Sequence, residues 1–196
     1  HYRDRRQRQM CIRDRYHTGA WPHEGVDFSG KRVGLIGTGS TAIQATPVIA
    51  AEAEHLTVFQ RTPNFSVPAR NAPLPADEAA EIKANYRDIR DRCRNSANGF
   101  PFEMSERLAS DVSDEERRAI YDELWEKGGF RFVAESFADI TIDEFANETA
   151  SNYIRDKISE MVKDQDVAKL LMPFDHPYAT KRPPIDTDYY LSLIHI

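Results

Sequence analysis

The sequence predicts an α/β protein in which a short strand–helix–strand core carries a long helical insertion. Two observations predict it. Between Lys31 and Arg61 an apolar run, a glycine turn, a helical pattern and a second apolar run follow one another, and from 75 to 174 helical patterns with their start signals succeed each other without a strand pattern between them. At 196 residues the chain can bury one ordinary core with an appended subdomain.

The chain opens on HYRDRRQRQMCIRDR, residues 1–15, a basic run without apolar periodicity. It reads as a disordered basic tail, as an arm for nucleic acid or membrane, which the acidic remainder disfavours, or as non-native sequence. The third reading is preferred, because Met10 to Arg15 and Leu191 to Ile196 resemble translated sequencing-adapter sequence. Residues 1–15 and 191–196 are therefore set apart from the fold. Residues 16–29, which include YHTGAWP from Tyr16 to Pro22, form a polar linker into the core, residues 30–74.

Within the core, Val33 to Ile36 is bulky and β-branched enough for a buried strand, and the chain then turns through Gly37, Thr38 and Gly39. A helix over Thr41 to Glu54 would carry Ile43, Pro47, Ala50 and Ala51 on one face, and Leu56 to Phe59 supplies a second strand. Gly37-x-Gly39-x-x-Ala42 between strand and helix is the fingerprint of a Rossmann-type dinucleotide-binding domain, with alanine in the packing position. The first glycine permits the turn, the second lets the backbone approach a pyrophosphate, and Ala42 lets helix and strand pack closely. The pyrophosphate would lie at the helix N-terminus, facing unpaired N–H groups and the positive end of the dipole. Gly37, Thr38, Gly39, Ser40, Thr41, Ala42 and Gln44 are the expected cofactor contacts of this turn. A NAD site would place Asp or Glu on the ribose about 20 residues on. Here the strand ends in Gln60-Arg61-Thr62, and an arginine with a hydroxyl suits a 2′-phosphate that a carboxylate would repel. The expected cofactor is NADP(H).

In the insertion, residues 75–174, Ile82, Tyr86, Ile89 and Cys93 fall on one stripe of an amphipathic helix. Ser113-Asp-Glu-Glu116 is a capping box for a second helix carrying Tyr121, Leu124 and Trp125 and ending at Gly128-Gly129. Thr141-Ile-Asp-Glu144 opens a third, with Ile154, Ile158, Met161 and Val162, and a short fourth helix through Val167, Leu170 and Leu171 stops at Pro173. These stripes are expected to form core. Residues 175–190 then return to the first core through Asp175-His176-Pro177-Tyr178-Ala179-Thr180-Lys181-Arg182-Pro183. Taken by itself, Lys181-Arg182-Pro183 is a solvated basic loop. His176 serves no Ser or Cys nucleophile motif and is read as structural.

Composition excludes several classes. Acids outnumber Lys and Arg by 32 to 26, the net charge is -6, and no nucleic-acid motif stands out. No apolar run reaches the roughly 20 residues that span a bilayer. Cys11 and Cys93 are too few for a disulfide framework and have no zinc-type spacing with the histidines, so no metal is expected and a reducing cytoplasm fits.

Three stretches together carry a resemblance: His17-Thr18-x-x-Trp21-Pro22, the GxGxxA turn, and Phe59 to Asn71, FQRTPNFSVPARN. They look like the central NADP-domain part of a flavin-dependent Baeyer–Villiger monooxygenase, a class B flavoprotein monooxygenase. That family's fingerprint is Phe-x-Gly-x-x-x-His-x-x-x-Trp. His17 and Trp21 match its second half, while Cys11 and Arg13 stand at the Phe and Gly positions, a departure that a non-native terminus explains.

The resemblance, which covers Tyr16 to Tyr190, implies an enzyme that uses FAD, NADPH and O2 to convert a small-molecule ketone to an ester or lactone. It implies a helical insertion in the NADP domain and makes His17 and Trp21 linker residues with a conformational role. It places Lys181 beside Arg61 and Thr62 on the 2′-phosphate, and makes Arg182 the catalytic residue at flavin and nicotinamide. The family's separate FAD-binding glycine motif is absent from the sequence, so the fold expected is incomplete and the segment inactive alone. Two alternatives stand beside this reading: a segment of an N- or S-oxidising flavin monooxygenase, and a non-catalytic NADP-binding module.

Overall fold

The computed structural model describes residues 15–193. Cys11, Arg13 and most of the expected N-terminal tail, with residues 194–196 of the C-terminal one, lie outside the described residues.

Strands β1 (Arg32–Ile36) and β2 (His55–Phe59) pair in parallel, from Arg32 opposite His55 to Ile36 opposite Phe59. Parallel neighbours require a crossover, which helix α1 (Ser40–Glu52) provides. Pro47 sits inside α1 and brings no N–H to its ladder. The buried stripe of α1 is Ala42, Ile43, Thr46 and Ile49, turned from the expected face: Ala51 is exposed. Ile49 joins Phe28 and Leu56 in a small cluster against which Val33 and Leu35 pack. The expectation of a strand buried on both sides needs correction. Among the described residues β1 and β2 are covered on one face, and on the other Ile36 is 86% and Phe59 56% exposed.

Between 75 and 174 the described residues form six α-helices and no strand. The single amphipathic helix expected through Ile82 and Cys93 is two, α2 (Ala76–Ala84) and α3 (Tyr86–Asn95), and neither buries a residue. Asn85 separates them: its backbone N–H and its side-chain amide both donate to Glu81 O, at 3.0 and 3.1 Å, so the side chain closes on the last carbonyls of α2.

Helix α4 (Asp114–Lys127) starts where its capping residue predicts, with Ser113 Oγ accepting from Glu116 N–H, and it ends at Gly128 with φ 71°. A Cβ at Gly128 would lie 2.7 Å from Pro68 O, and Gly129 N–H donates to that same oxygen. Both the left-handed backbone and the contact require glycine. Gly128→Ala is expected to destabilise the protein by more than about 1 kcal/mol, read as a lower midpoint of thermal unfolding; an unchanged midpoint would show that the α4 end can move off Pro68.

The short helix α5 (Arg131–Glu135) has no counterpart among the expected elements. Helix α6 (Glu144–Met161) begins at the expected place, but its cap is Asp143, whose side chain accepts from Ala146 N–H, and not Thr141. Helix α7 (Gln165–Leu171) ends before Pro173, with Leu171 buried and Leu170 exposed.

The main core lies between these helices. Tyr121 stacks on Phe132 at 5.1 Å, Phe132 on Tyr153 at 5.7 Å, and Tyr178 meets the edges of both Phe132 and Phe65. Each such pair contributes about 0.5–1.5 kcal/mol beyond its buried area. Tyr178 and Phe65 thereby bind the return segment and the chain after β2 to the helical core. Two further strands complete this join: β3 (Val67–Pro68) pairs in parallel with β4 (Ile185–Asp186). Helix α8 (Tyr189–Ser192) follows, and Leu193, placed by the sequence in the tail, is buried with Tyr189 and Tyr190. Among the described residues no helix is long and apolar enough to cross a membrane.

Candidate functional site

The site is built where β1 gives way to α1. Gly37 has φ 104°, a conformation that side chains oppose, and its N–H donates to Phe59 O at 2.9 Å, stitching the turn to the end of β2. Gly39 is the helix N-cap, in extended conformation and without a side-chain cap. A Cβ there would meet nothing within 4 Å, so open space faces the helix start. The ladder begins with Ile43 N–H to Gly39 O, which leaves the N–H groups of Ser40, Thr41 and Ala42 ahead of it. Free donors at a dipole's positive end, with room before them, fit a phosphate.

Thr38 Oγ1 donates to Thr62 O at 2.9 Å, so the glycine turn holds the segment that carries Arg61 and Thr62. Gln60 anchors the same segment to the helical insertion through Leu170 O, at 2.6 Å. Arg61 is exposed, and so is Arg182. Among the described residues neither guanidinium has a hydrogen-bond or ion-pair partner, although acids exceed bases in the chain.

The return segment reaches the turn from the other side. Gln44, expected as a cofactor contact, extends its amide to Ile185 O at 3.4 Å. Val67 N–H donates to Pro184 O and Ala69 N–H to Asp186 O, which joins the residues just after the Lys181-Arg182 pair to the chain that follows Arg61. Lys181 Nζ lies 3.9 Å from Asp175 Oδ2 and 3.5 Å from His176 Nδ1. His176 Nδ1 is in turn 2.7 Å from Asp175 Oδ1, and this bond, with Lys181 adding to it, holds the Asp175 carboxyl below the usual carboxylate range. The His176 ring meets Phe65 edge-on at 5.4 Å. Its Nε2 and the Oδ1 of Asn64, the residue before Phe65, are buried without hydrogen-bond partners among the described residues. Orphaned polar atoms of this kind, on the two segments that bear Arg61 and Lys181, suit a site completed by a polar group not belonging to these residues.

Beneath the loop, Ser66 Oγ donates to Asp186 Oδ2 at 2.5 Å. Burial pushes the Asp186 carboxyl above its ordinary value, against the pull of the Ser66 bond. Since the folded protein holds this proton more tightly than the unfolded one, the protonated carboxyl stabilises the fold at low pH. That contribution is lost as pH rises from about 4 through the raised folded value. Asp186→Asn keeps the acceptor for Ser66 and is expected to abolish this decline; denaturant midpoints measured across pH in parent and variant check it, and an equal decline in both would refute it.

His17 and Trp21 sit apart from these residues. His17 Nδ1 accepts from Gly19 N–H, capping a short 3-10 turn over Thr18–Ala20. Trp21 is 41% exposed, packs between Tyr16 and Phe28, and forms one wall of an open groove of about 570 Å³ that Val33 and Ile49 also line. Sequence reasoning missed Asn64, Ser66 and Asp186, and gave His176 no part in the site. Ser66 and Asp186 meet across 120 positions, and no local pattern announces such a pair.

No family model matches the sequence. Curated relatives do: it is 48% identical over 176 residues to a cyclohexanone 1,2-monooxygenase of Acinetobacter sp, which covers 89% of this chain and 32% of the relative. It is 47% identical over 175 residues to a Baeyer–Villiger monooxygenase of Pseudooceanicola batsensis and likewise to a phenazine N-monooxygenase of Lysobacter antibioticus, with the same shares covered. Among solved structures, an oxidised steroid monooxygenase bound to NADP superposes with a TM-score of 0.87 at 48% identity, over 91% of this chain and 34% of that one. The chain thus spans about a third of the length of the curated relatives it matches.

Proposed function

We propose that this chain, a segment of the Baeyer–Villiger monooxygenase family, is the NADPH-binding part of an FAD-dependent enzyme that converts small-molecule ketones to esters or lactones with O2. In this reading residues 30–74 are a Rossmann-type core, 75–174 its helical insertion and 175–190 the return to it. The observation that carries the proposal is the junction of the glycine turn with Arg61-Thr62 through the Thr38–Thr62 bond, and the joining of the chain just after Lys181-Arg182 to Val67 and Ala69 further along that segment supports it.

When bound, NADPH and FAD supply the reducing electrons and the activation of dioxygen. The protein's part is placement and charge. The N–H groups of Ser40, Thr41 and Ala42 hold the pyrophosphate at the α1 dipole, with Gly37 and Gly39 keeping the approach clear. Arg61 and the Thr62 hydroxyl take the 2′-phosphate. Lys181 joins them: its present pair with Asp175 is long and about half exposed, hence weak, and a phosphate dianion displaces the carboxylate. The Arg182 guanidinium stabilises the negative charge that develops on oxygen as the ketone carbonyl is attacked. His17 and Trp21, in the linker ahead of β1, respond to cofactor binding.

The full-length protein that carries this segment, loaded with FAD, is expected to convert a cyclic ketone to a lactone with NADPH consumed in equal amount. Formation of an N-oxide from a phenazine, with no lactone, would instead favour the activity that the Lysobacter relative's name describes. NADP+ binding with neither product would leave the binding module.

A further inference from the structure

The Lys181-Arg182 loop is held from both sides by buried hydrogen bonds. On its far side is the Ser66–Asp186 bond together with the β3–β4 pairing. On its near side is Asn147, a residue of α6 that is 8% exposed. Asn147 Oδ1 accepts the Tyr178 N–H at 2.9 Å, and its Nδ2 donates to Tyr178 O at 2.9 Å and to Ile140 O at 2.8 Å. Ser151, one turn further along α6, supports the arrangement: its hydroxyl donates to Asn147 Oδ1 at 3.2 Å and accepts the Tyr178 N–H at 3.3 Å. These contacts also settle which end of the amide is oxygen.

A side-chain amide is the group that can do this. It offers one acceptor and two donors in a peptide-like plane and so closes on both backbone polar groups of a single residue, as a neighbouring strand would. An apolar residue of the same shape would leave the Tyr178 N–H and C=O and the Ile140 C=O to find other partners in a buried site. Between Tyr178 and Arg182, Ala179 packs against the main core and Lys181 lies beside Asp175 and His176, while Arg182 itself has no polar partner among the described residues. Ala179 takes φ 64°, Thr180 bonds back to Pro177 O, and then the chain emerges at Lys181 and Arg182.

We propose that Asn147 is a positioning residue for Arg182: by gripping Tyr178 from the helical insertion, it sets the place and direction at which the Lys181-Arg182 pair leaves the core. The inference rests on the reading of Arg182 as the group that stabilises charge on the reacting oxygen. It gives the insertion a role in the reaction, as the anchor of the loop that bears the guanidinium.

The test is a double-mutant cycle in the full-length, FAD-loaded protein, with ester formed per loaded flavin as the readout and NADP+ binding measured beside it. Asn147→Ala is expected to lower ester formation by about tenfold to a hundredfold, the scale of a misplaced catalytic group, with NADP+ affinity lowered no further than by Lys181→Ala, because Arg61 and the α1 terminus are untouched. In an Arg182→Ala background the same substitution is expected to cost less than about twofold more, since a guanidinium that is gone cannot be misplaced. Ser151→Ala, a milder change that leaves the Asn147–Tyr178 bonds in place, is expected to lose a few-fold with the same non-additivity, and it decides the matter if Asn147→Ala does not load flavin. A purely structural role predicts the parental yield per loaded flavin, or losses that multiply with those of Arg182→Ala; either result overturns the proposal. If Arg182→Ala alone leaves ester formation intact, it is the reading of Arg182 that falls.

Discussion

Arg182→Ala in the full-length protein is expected to lower the rate of ester formation by about 10² to 10³, the usual loss when a positioned charge-stabilising group is removed. Arg182 is exposed and without a polar partner among the described residues, so the substitution breaks no hydrogen bond or ion pair of the fold there. The loss should therefore fall on chemistry rather than folding. NADPH binding is expected to survive on Arg61, Thr62 and Lys181. Flavin reduction is expected to slow to a lesser degree, because in this reading the same guanidinium lies beside the nicotinamide. Arg182→Lys is expected to rescue poorly, since an ammonium offers a point charge in place of a planar set of donors. Stopped-flow measurement of flavin reduction, set against product formed, separates the two effects. A near-parental ester yield in Arg182→Ala would remove this residue from the mechanism and leave a solvated basic loop.

Arg61→Asp is expected to abolish the preference for NADPH over NADH. The change removes a charge-assisted bond to the 2′-phosphate, worth about 1.5–3 kcal/mol, and adds repulsion, so selectivity falls by about tenfold to a hundredfold or more. The Thr38–Thr62 bond uses a backbone carbonyl, so the turn itself is kept. Lys181→Ala is expected to act in the same direction with smaller effect, because Lys181 is partly engaged by Asp175 and His176 and lacks the planar fork. The KM values for the two nicotinamides, compared between parent and variant, check both. An unchanged ratio in Arg61→Asp would show that this arginine does not meet the 2′-phosphate.

The parts of this molecule that were legible in its sequence are the local ones. The β1–turn–α1–β2 unit declares itself within Lys31 to Arg61 because an apolar run, two glycines and a helical period are all short-range signals. The start of α4 was legible for the same reason, in a serine three residues from a glutamate. The start of α6 was legible, but its cap was not, since Thr141 and Asp143 are both capping residues and only the fold chose between them. Periodicity alone misled at Ile82 and Tyr86. The stripe is present, yet among the described residues no other element packs over it closely enough to bury it. The strands β3 and β4 were illegible because each is two residues long and its partner is more than a hundred positions away. Asn147 was illegible too: an asparagine among Glu, Thr and Ala on a helix looks solvated until Tyr178 is folded against it.

The pairing of Val67 with Ile185 also bears on the order in which the chain acquires its structure. Closing a loop of that length carries an entropic cost that two strand residues do little to offset. The intervening helices, whose contacts close shorter loops than this pairing does, are expected to collapse first and shorten the path. Tyr178, in place between Phe132 and Phe65, then delivers the return segment to β3. Arg182, which follows Tyr178 and precedes β4, is therefore expected to be among the last residues to reach its native position. The βαβ unit proposed to receive the nucleotide is thus expected to form before the loop that would act on the substrate has arrived.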